Sequence, residues 1–292
     1  MTANGRLKSG FVVLVGRPNV GKSTLVNALS GGKIAIVSDK PQTTRHRIAG
    51  VANGEGHQLV LVDLPGFQRP RDPLTERMQR TVDDSLTDVD AVLFVLAGDE
   101  TIGAGDRFIA ARVFGGEAPV VLAVNKVDRL KPNRIAAQIE AAASLGDFHA
   151  LHPVSARTGD GVAALRADLV ELLPEGPAYF PEGEVTDLPL DLRVAELVRE
   201  KALALTREEV PHAITVEVGE IEGSRVSAVV YVEAESQKGI VVGTGGRTIK
   251  EIGSRARPEV ELLLGRKVFL DLTVKVRPKW RRDEAMLGRM GI

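Results

Sequence analysis

Gly16-Arg17-Pro18-Asn19-Val20-Gly21-Lys22-Ser23 has the spacing G-x-x-x-x-G-K-[ST]. Such a turn aims backbone N–H groups at phosphate oxygens, and a helix opening behind it adds partial positive charge. Lys22 is expected to reach the β and γ phosphates of a nucleoside triphosphate. The Ser23 hydroxyl is expected to ligate Mg2+, and Thr24 to support the phosphate side. Further on stands Asp63-Leu64-Pro65-Gly66. Asp63 is placed to hold Mg2+ through water, and Gly66 to bring its N–H to the γ-phosphate. Thr43 and Thr44 lie in a stretch without strong periodicity. One of their hydroxyls should complete the Mg2+ shell, with Thr44 preferred, and loss of the γ-phosphate would release both segments. Lys22, Thr44 and Gly66 are thus the candidate catalytic residues.

The base is read elsewhere. In Asn125-Lys126-Val127-Asp128, the Asp carboxylate can accept the N1–H and exocyclic amine of guanine. Adenine has no such donor pair on that edge, and a carboxylate left unpaired there is costly. Asn125 would buttress the loop, and the Lys126 stem would cover one face of the ring. The backbone N–H groups of Ser155-Ala156 would meet guanine O6.

A third cluster lies near the end of the chain. Gly243-Thr244-Gly245-Gly246 is a G-x-x-G turn after Ile240-Val241-Val242, followed by Arg247 and Lys250 and preceded by Lys238. Two glycines let such a turn approach a nucleic-acid backbone, and unstacked bases favour single-stranded RNA as the target. Lys275–Arg282 adds basic residues, Lys279, Arg281 and Arg282 among them. Trp280 in that run could stack on a base or simply pack. The five histidines show no metal-ligand spacing, and His46 alone falls in a candidate site segment.

These residues need a frame. The apolar runs Phe11–Val15, Leu59–Val62, Ala91–Ala97 and Val120–Val124 do not alternate, as suits strands covered on both faces of a parallel sheet. With helices predicted at Lys22–Leu29, Pro132–Ala143 and Val162–Leu172, they form repeated βα units, hence an α/β, doubly wound, mostly parallel sheet. Every nucleotide motif then follows the carboxyl end of a strand, where such sheets bind ligands. Residues 174–189 hold Pro174, Pro177, Pro181 and Pro189 and are expected to link domain 1–173 to domain 190–292. The second domain reads as α+β: a helix over Leu190–Thr206, strands over His212–Val218 and Val226–Val232, a glycine-interrupted helix over Ile240–Ile252, a short helix over Pro258–Leu264 and a strand over Val268–Val276.

Composition sets the outer limits. The 292 residues carry 38 Lys+Arg against 39 Asp+Glu, so the net charge of −1 argues against a wholly basic nucleic-acid binder. Lys238–Arg282 nevertheless holds twelve basic and four acidic residues, a local net of +8. Zero cysteines exclude a disulfide scaffold and a thiolate site. No apolar run reaches bilayer-spanning length, and Met1–Gly10 lacks the apolar core of a signal peptide, so a cytoplasmic location is expected.

The order of phosphate loop, Thr, Asp-x-x-Gly, Asn-Lys-x-Asp and Ser-Ala resembles the TRAFAC translation-factor-like GTPases over roughly Gly10–Leu173. Residue Phe67 departs from the Ras-like pattern, which carries a water-positioning Gln there, so slow intrinsic turnover is expected. GTPases with a phosphate-loop Asn and a hydrophobic residue at this position often recruit K+, and the resemblance extends that expectation to Asn19. The second half resembles a type II KH domain, with Thr244-Gly245 where the family often has a lysine. The whole chain resembles bacterial ribosome-assembly GTPases, supported by Gln42-Thr43-Thr44-Arg45-His46-Arg47 and Glu208-Glu209-Val210-Pro211-His212. That resemblance implies a monomeric GTP/GDP switch on the 3′ end of 16S rRNA and the 30S precursor, with peripheral contact at the cell membrane. Two alternatives stand beside it. A tRNA-modification GTPase shares the Thr-Thr-Arg and Asn19 features but would need a further domain and a C-terminal cysteine. An RNA-binding scaffold would bind GTP without useful turnover.

Overall fold

The computed structural model describes residues 7–40, 42–67 and 70–292. The chain divides into two compact units. Among the described residues the first comprises 7–35, 44–67 and 78–187; the second comprises 36–40, 42–43, 70–77 and 188–292.

The first unit is built on a six-stranded sheet of β1 (Lys8–Val15), β2 (Ile48–Gly54), β3 (His57–Asp63), β4 (Ala91–Ala97), β5 (Val120–Asn125) and β6 (Ala150–Pro153). Its order is β2-β3-β1-β4-β5-β6. Only β2 runs antiparallel, against β3. The helices are α1 (Lys22–Ser30), α2 (Pro73–Asp84), α3 (Ala104–Val113), α4 (Pro132–Ala143) and α5 (Val162–Glu171). The first turn of α2 falls in the segment assigned to the second unit. Every residue of β4 is buried, as its unbroken apolar run requires of a central strand. One core lies between the sheet and α1 and α5, around Leu14, Leu25, Leu61 and Leu165; the other holds Phe94, Ile109, Leu122 and Ala142.

The segment read as a linker is strapped to the first unit as far as Asp187. Ser9 N–H donates to the Pro174 carbonyl at 3.0 Å, and Val51 N–H to that of Val185 at 2.9 Å. The buried Gln58 side chain accepts from the N–H groups of Tyr179 and Phe180 and donates to the Phe180 carbonyl. Asp187 accepts from Ala49 N–H and pairs with Arg47. Prolines stop helix formation there, yet they leave the chain extended enough to bond to the start of β1 and to the edge strand β2.

The second unit contains α6 (Leu190–Leu205), α7 (Val210–Ala213), β7 (Thr215–Glu222), β8 (Arg225–Val232), α8 (Glu235–Val242), α9 (Arg247–Leu264), β9 (Phe269–Val276) and α10 (Glu284–Arg289). Its sheet has the order β7-β8-β9, with β7 antiparallel and β9 parallel to β8. Val198, Ile214, Val230, Ile252 and Ala256 are at the centre of its core. Two boundaries differ from the sequence reading. His212 lies in α7, not in a strand, because Pro211 sits at a helix start. The helix break falls at the G-x-x-G turn rather than at Pro258, which lies inside the continuous α9. Three positive-φ glycines interrupt the backbone more completely than one proline, whose cost is borne by a helix of 18 residues.

Candidate functional site

The phosphate loop joins β1 to α1, and its closure rests on a buried cation. Lys22 is 6% exposed, and its Nζ donates to the carbonyls of Gly16 and Arg17, both at 3.2 Å, spanning the loop. Burial pushes the Lys22 ammonium down to about 8, with the Asp63 carboxylate opposing that shift. Arg17 is directed elsewhere: its Nε donates to Asp106 at 2.7 Å and its Nη2 to Glu100 at 2.9 Å. Those carboxylates anchor the loop to the start of α3 and the turn after β4. Gly21 has φ of +98°, and a Cβ there would meet Asn125 Nδ2 at 2.3 Å, so both the backbone and the approach require glycine.

Three oxygens converge beside Lys22. Ser23 Oγ donates to Asp63 Oδ2 at 2.6 Å and lies 2.9 Å from Thr44 Oγ1, which donates to the same carboxylate oxygen at 3.3 Å. Asp63 is 0% exposed, and its Oδ1 is buried without a hydrogen-bond partner. Burial pushes its carboxyl up, against the Lys22 charge and the bonds from Ser23 and Thr44. An orphaned buried carboxylate oxygen with two hydroxyls beside it fits a hard divalent cation that completes its shell with phosphate and water. Among the described residues no group of three or more His, Cys, Asp or Glu side chains assembles.

The geometry separates the two threonines. Thr44 stands with Ser23 and Asp63, whereas the Thr43 hydroxyl donates to the Lys40 carbonyl at 2.6 Å. The Thr43 hydroxyl is thus turned to the preceding segment, and it is the Thr44 hydroxyl that stands at the candidate Mg2+ site. His46 is buried, at 7% exposure. Gly66 lies against the phosphate loop, its α-carbon so close that a Cβ would meet Pro18 at 2.9 Å. Phe67 is buried in the core beside α3 and meets Phe108 edge-on at 6.5 Å between centroids. It packs and offers no hydrogen bond to water.

The base-reading loops follow β5 and β6. Asn125 bridges them: its Nδ2 donates to the Val20 carbonyl at 2.9 Å, and its Oδ1 accepts from Ala156 N–H at 3.0 Å. Lys126 has φ of +65° and lies 3.5 Å from Asp99. The Asp128 carboxylate accepts from Ser155 Oγ at 2.7 Å and from Arg157 Nη2 at 2.6 Å. The Ser155 bond chiefly, with the Arg157 charge, holds its pKa below the ordinary value. An ionised acceptor is what a guanine reader needs. Sequence reasoning missed Arg157, although a basic residue directly after Ser155-Ala156 was the available signal.

In the second unit the G-x-x-G turn separates α8 from α9, with φ of +70° at Gly243, +60° at Gly245 and +77° at Gly246. A Cβ on Gly243 would meet Thr248 Oγ1 at 2.2 Å, while Gly245 and Gly246 face open space. Thr244, Arg247 and Lys250 are exposed at the opening of α9, and Lys238 is half-buried on α8. Lys279 and Arg282 are exposed as well. Arg281 is not: it pairs with Asp72 at 2.7 Å and is 18% exposed. Trp280 is fully buried, its Nε1 donating to the Ala213 carbonyl at 2.8 Å, so it packs and does not stack.

A mostly parallel sheet with these loops at its strand ends, followed by a helix–G-x-x-G–helix unit, defines a P-loop GTPase joined to a KH domain. Family models agree: one described as a 50S ribosome-binding GTPase matches residues 11–126, and one described as a KH domain matches residues 209–281. The chain is 45% identical to GTPase Era of Mycolicibacterium smegmatis, covering 97% of this chain and 98% of that protein. It is 47% identical to GTPase Era of Carboxydothermus hydrogenoformans over 97% of each. The chain belongs to the Era family of GTPases, and it hydrolyses GTP. A solved structure of Era with MgGDPNP and nucleotides 1506–1542 of 16S ribosomal RNA matches with a TM-score of 0.94 and 39% identity, over 98% of this chain and 99% of that one. Era of Aquifex aeolicus bound to GDP and AlF4− matches equally well, with the same TM-score, identity and coverage.

Proposed function

We propose that this GTPase is a switch that binds the 3′ end of 16S rRNA and assists assembly of the 30S subunit. The observation that carries the RNA reading is the G-x-x-G turn. Its left-handed backbone leaves Gly245 and Gly246 open at the start of α9, and the exposed Arg247 and Lys250 flank it. Such a turn clamps a single strand by its phosphates, while flanking basic groups supply the salt-dependent part of affinity. The relative solved with nucleotides 1506–1542 of 16S rRNA supports that RNA as the target. In this reading the chain works as a monomer in the cytoplasm.

The triphosphate is cradled by Gly16–Thr24, and Asn125, Lys126, Asp128, Ser155 and Ala156 hold the guanine. Ser23, Thr44 and Asp63 would hold Mg2+, which supplies charge neutralisation at the β- and γ-phosphates. Lys22 shares that work, and Gly66 presents its N–H to the γ-phosphate. With Phe67 packed away from any water-positioning role, intrinsic hydrolysis is slow. Asn19 would assist a K+ ion beside the phosphates, so turnover is faster in K+ than in Na+; equal rates in the two buffers defeat that assignment.

The test is anisotropy of a labelled single strand copying the 16S 3′ end, with the full chain held in a non-hydrolysable GTP analogue or in GDP. Binding in the analogue state at least tenfold tighter than to a scrambled strand supports the reading. Replacing Gly246→Asp should abolish that binding and leave GTP hydrolysis intact. Equal affinity for the scrambled strand overturns the 16S assignment.

A further inference from the structure

Helix α6 carries three buried charged residues on one stretch: Glu196, Arg199 and Glu200, at 6%, 1% and 7% exposure. Charged side chains are rarely buried so completely unless paired, and a buried ion pair seldom adds net stability over apolar residues of the same size. Their presence calls for another role. Arg199 and Glu196 form a two-pronged pair, Nε to Oε1 at 2.7 Å and Nη2 to Oε2 at 2.6 Å. That fixes the plane of the guanidinium, and the same Nη2 donates to the backbone carbonyl of Thr43. The neighbouring Glu200 accepts from Val37 N–H at 2.9 Å. Adjacent residues of α6 therefore grip the segment Ile36–Thr43 near both of its ends, and that segment belongs to the second unit although it lies in the first half of the sequence. The next residue in the chain is Thr44, whose hydroxyl lies 2.9 Å from Ser23 Oγ.

We propose that Arg199 is a positioning residue for Thr44: by holding the Thr43 carbonyl it fixes the peptide that presents the Thr44 hydroxyl to the Mg2+ site. The inference rests on the assignment of Thr44 as a Mg2+ ligand. It makes the first helix of the RNA-binding unit a determinant of nucleotide-state discrimination. Arg199 touches neither nucleotide nor metal; it acts through one peptide bond. Lysine cannot replace it, because an ammonium lacks the planar fork that satisfies Glu196 and the carbonyl together.

The test uses the full chain and a fluorescent non-hydrolysable GTP analogue, titrated with Mg2+, beside GDP binding and hydrogen exchange of the amides of residues 42–47. In Arg199→Ala the half-saturating Mg2+ for analogue binding should rise about tenfold, the size of one lost charge-assisted hydrogen bond. Amides 42–47 should exchange faster in the analogue complex, and GDP affinity should hold, since GDP does not engage Thr44. Thr44→Ala should raise the Mg2+ requirement alike, and the two changes together should add nothing further. Should Arg199→Ala fail to fold, the pair Glu196→Leu with Arg199→Met removes the charges while filling the same space, and the same shift is expected. Parallel losses of GTP-analogue and GDP affinity, or full additivity with Thr44→Ala, overturn the positioning role. An unchanged Mg2+ requirement in Thr44→Ala overturns the metal assignment beneath it.

Discussion

The Asn125 side chain ties the guanine loop to the phosphate loop: its Nδ2 donates to the Val20 carbonyl at 2.9 Å. Its Oδ1 meanwhile accepts from Ala156 N–H, so one buried amide holds three loops from three strands. Base and phosphate recognition are thereby set as one unit before any ligand arrives. Asn125→Ala removes two buried hydrogen bonds and orphans the Val20 carbonyl. It should lower GTP and GDP affinity together, by about 30- to 150-fold at roughly 1–1.5 kcal/mol per bond. Stopped-flow dissociation of a fluorescent GDP measures this, and a loss confined to GTP would contradict it.

In the proposed reading Asp128 sets the base. Its carboxylate is held ionised by Ser155 and Arg157, and it offers acceptors only. Asp128→Asn replaces one acceptor with a donor, which suits the carbonyl of xanthine in place of the guanine amine. Xanthosine triphosphate should then be hydrolysed in preference to GTP by on the order of 100-fold in kcat/KM, the scale of two charge-assisted bonds exchanged. Retained strict preference for GTP would refute the role.

How far this was legible in the sequence follows from how locally each feature is encoded. The phosphate loop, Asp63–Gly66 and Asn125–Asp128 are contiguous patterns whose spacing is the function, and each follows its expected strand. Strand β2 was missed because Ile48–Gly54 mixes Gly and Ala into its apolar run, ends in Asn-Gly and sits on a sheet edge. Helices α2 and α3 were missed because Arg, Asp and Glu dilute their apolar stripe. The burial of Glu196, Arg199 and Glu200 on α6 has no signal in the apolar spacing of that helix. Their burial depends on a segment some 160 residues away, which no local window contains. Trp280 was left between stacking and packing, and Arg281 was read only as a basic residue, since a basic run does not reveal that the Ala213 carbonyl or Asp72 waits within reach.

Lys22 gives nucleotide binding a pH dependence of definite sign. Burial depresses its pKa to about 8. Below pH 8 it is protonated whether the chain is folded or not, and the full cost of burying the charge is present. As pH rises from 8 toward the unfolded value of about 10.4, the folded chain sheds its proton first, so the nucleotide-free protein gains stability across that window. Phosphates restore the charge, so binding above pH 8 must take up a proton and affinity falls by up to about tenfold per pH unit. Calorimetry at pH 8.5 and 9 in two buffers of different ionisation enthalpy should show this uptake. Lys22→Met should lose it; identical uptake in that variant would assign the proton elsewhere.

Trp280 is the chain's one tryptophan and is wholly buried, with its indole N–H bonded to Ala213. If it served the RNA by stacking, its replacement would weaken binding and spare the fold. Its position predicts the reverse. Trp280→Ala should destabilise the KH unit by about 3–5 kcal/mol through the cavity it leaves. Trp280→Phe keeps most of the apolar surface and loses the bond to the Ala213 carbonyl, at about 1–3 kcal/mol. Urea unfolding followed by circular dichroism measures both. In the parent chain Trp280 emission should be blue-shifted and unmoved by single-stranded RNA. Quenching of that emission on RNA addition, with unfolding midpoints unchanged in Trp280→Phe, would return the residue to the RNA surface.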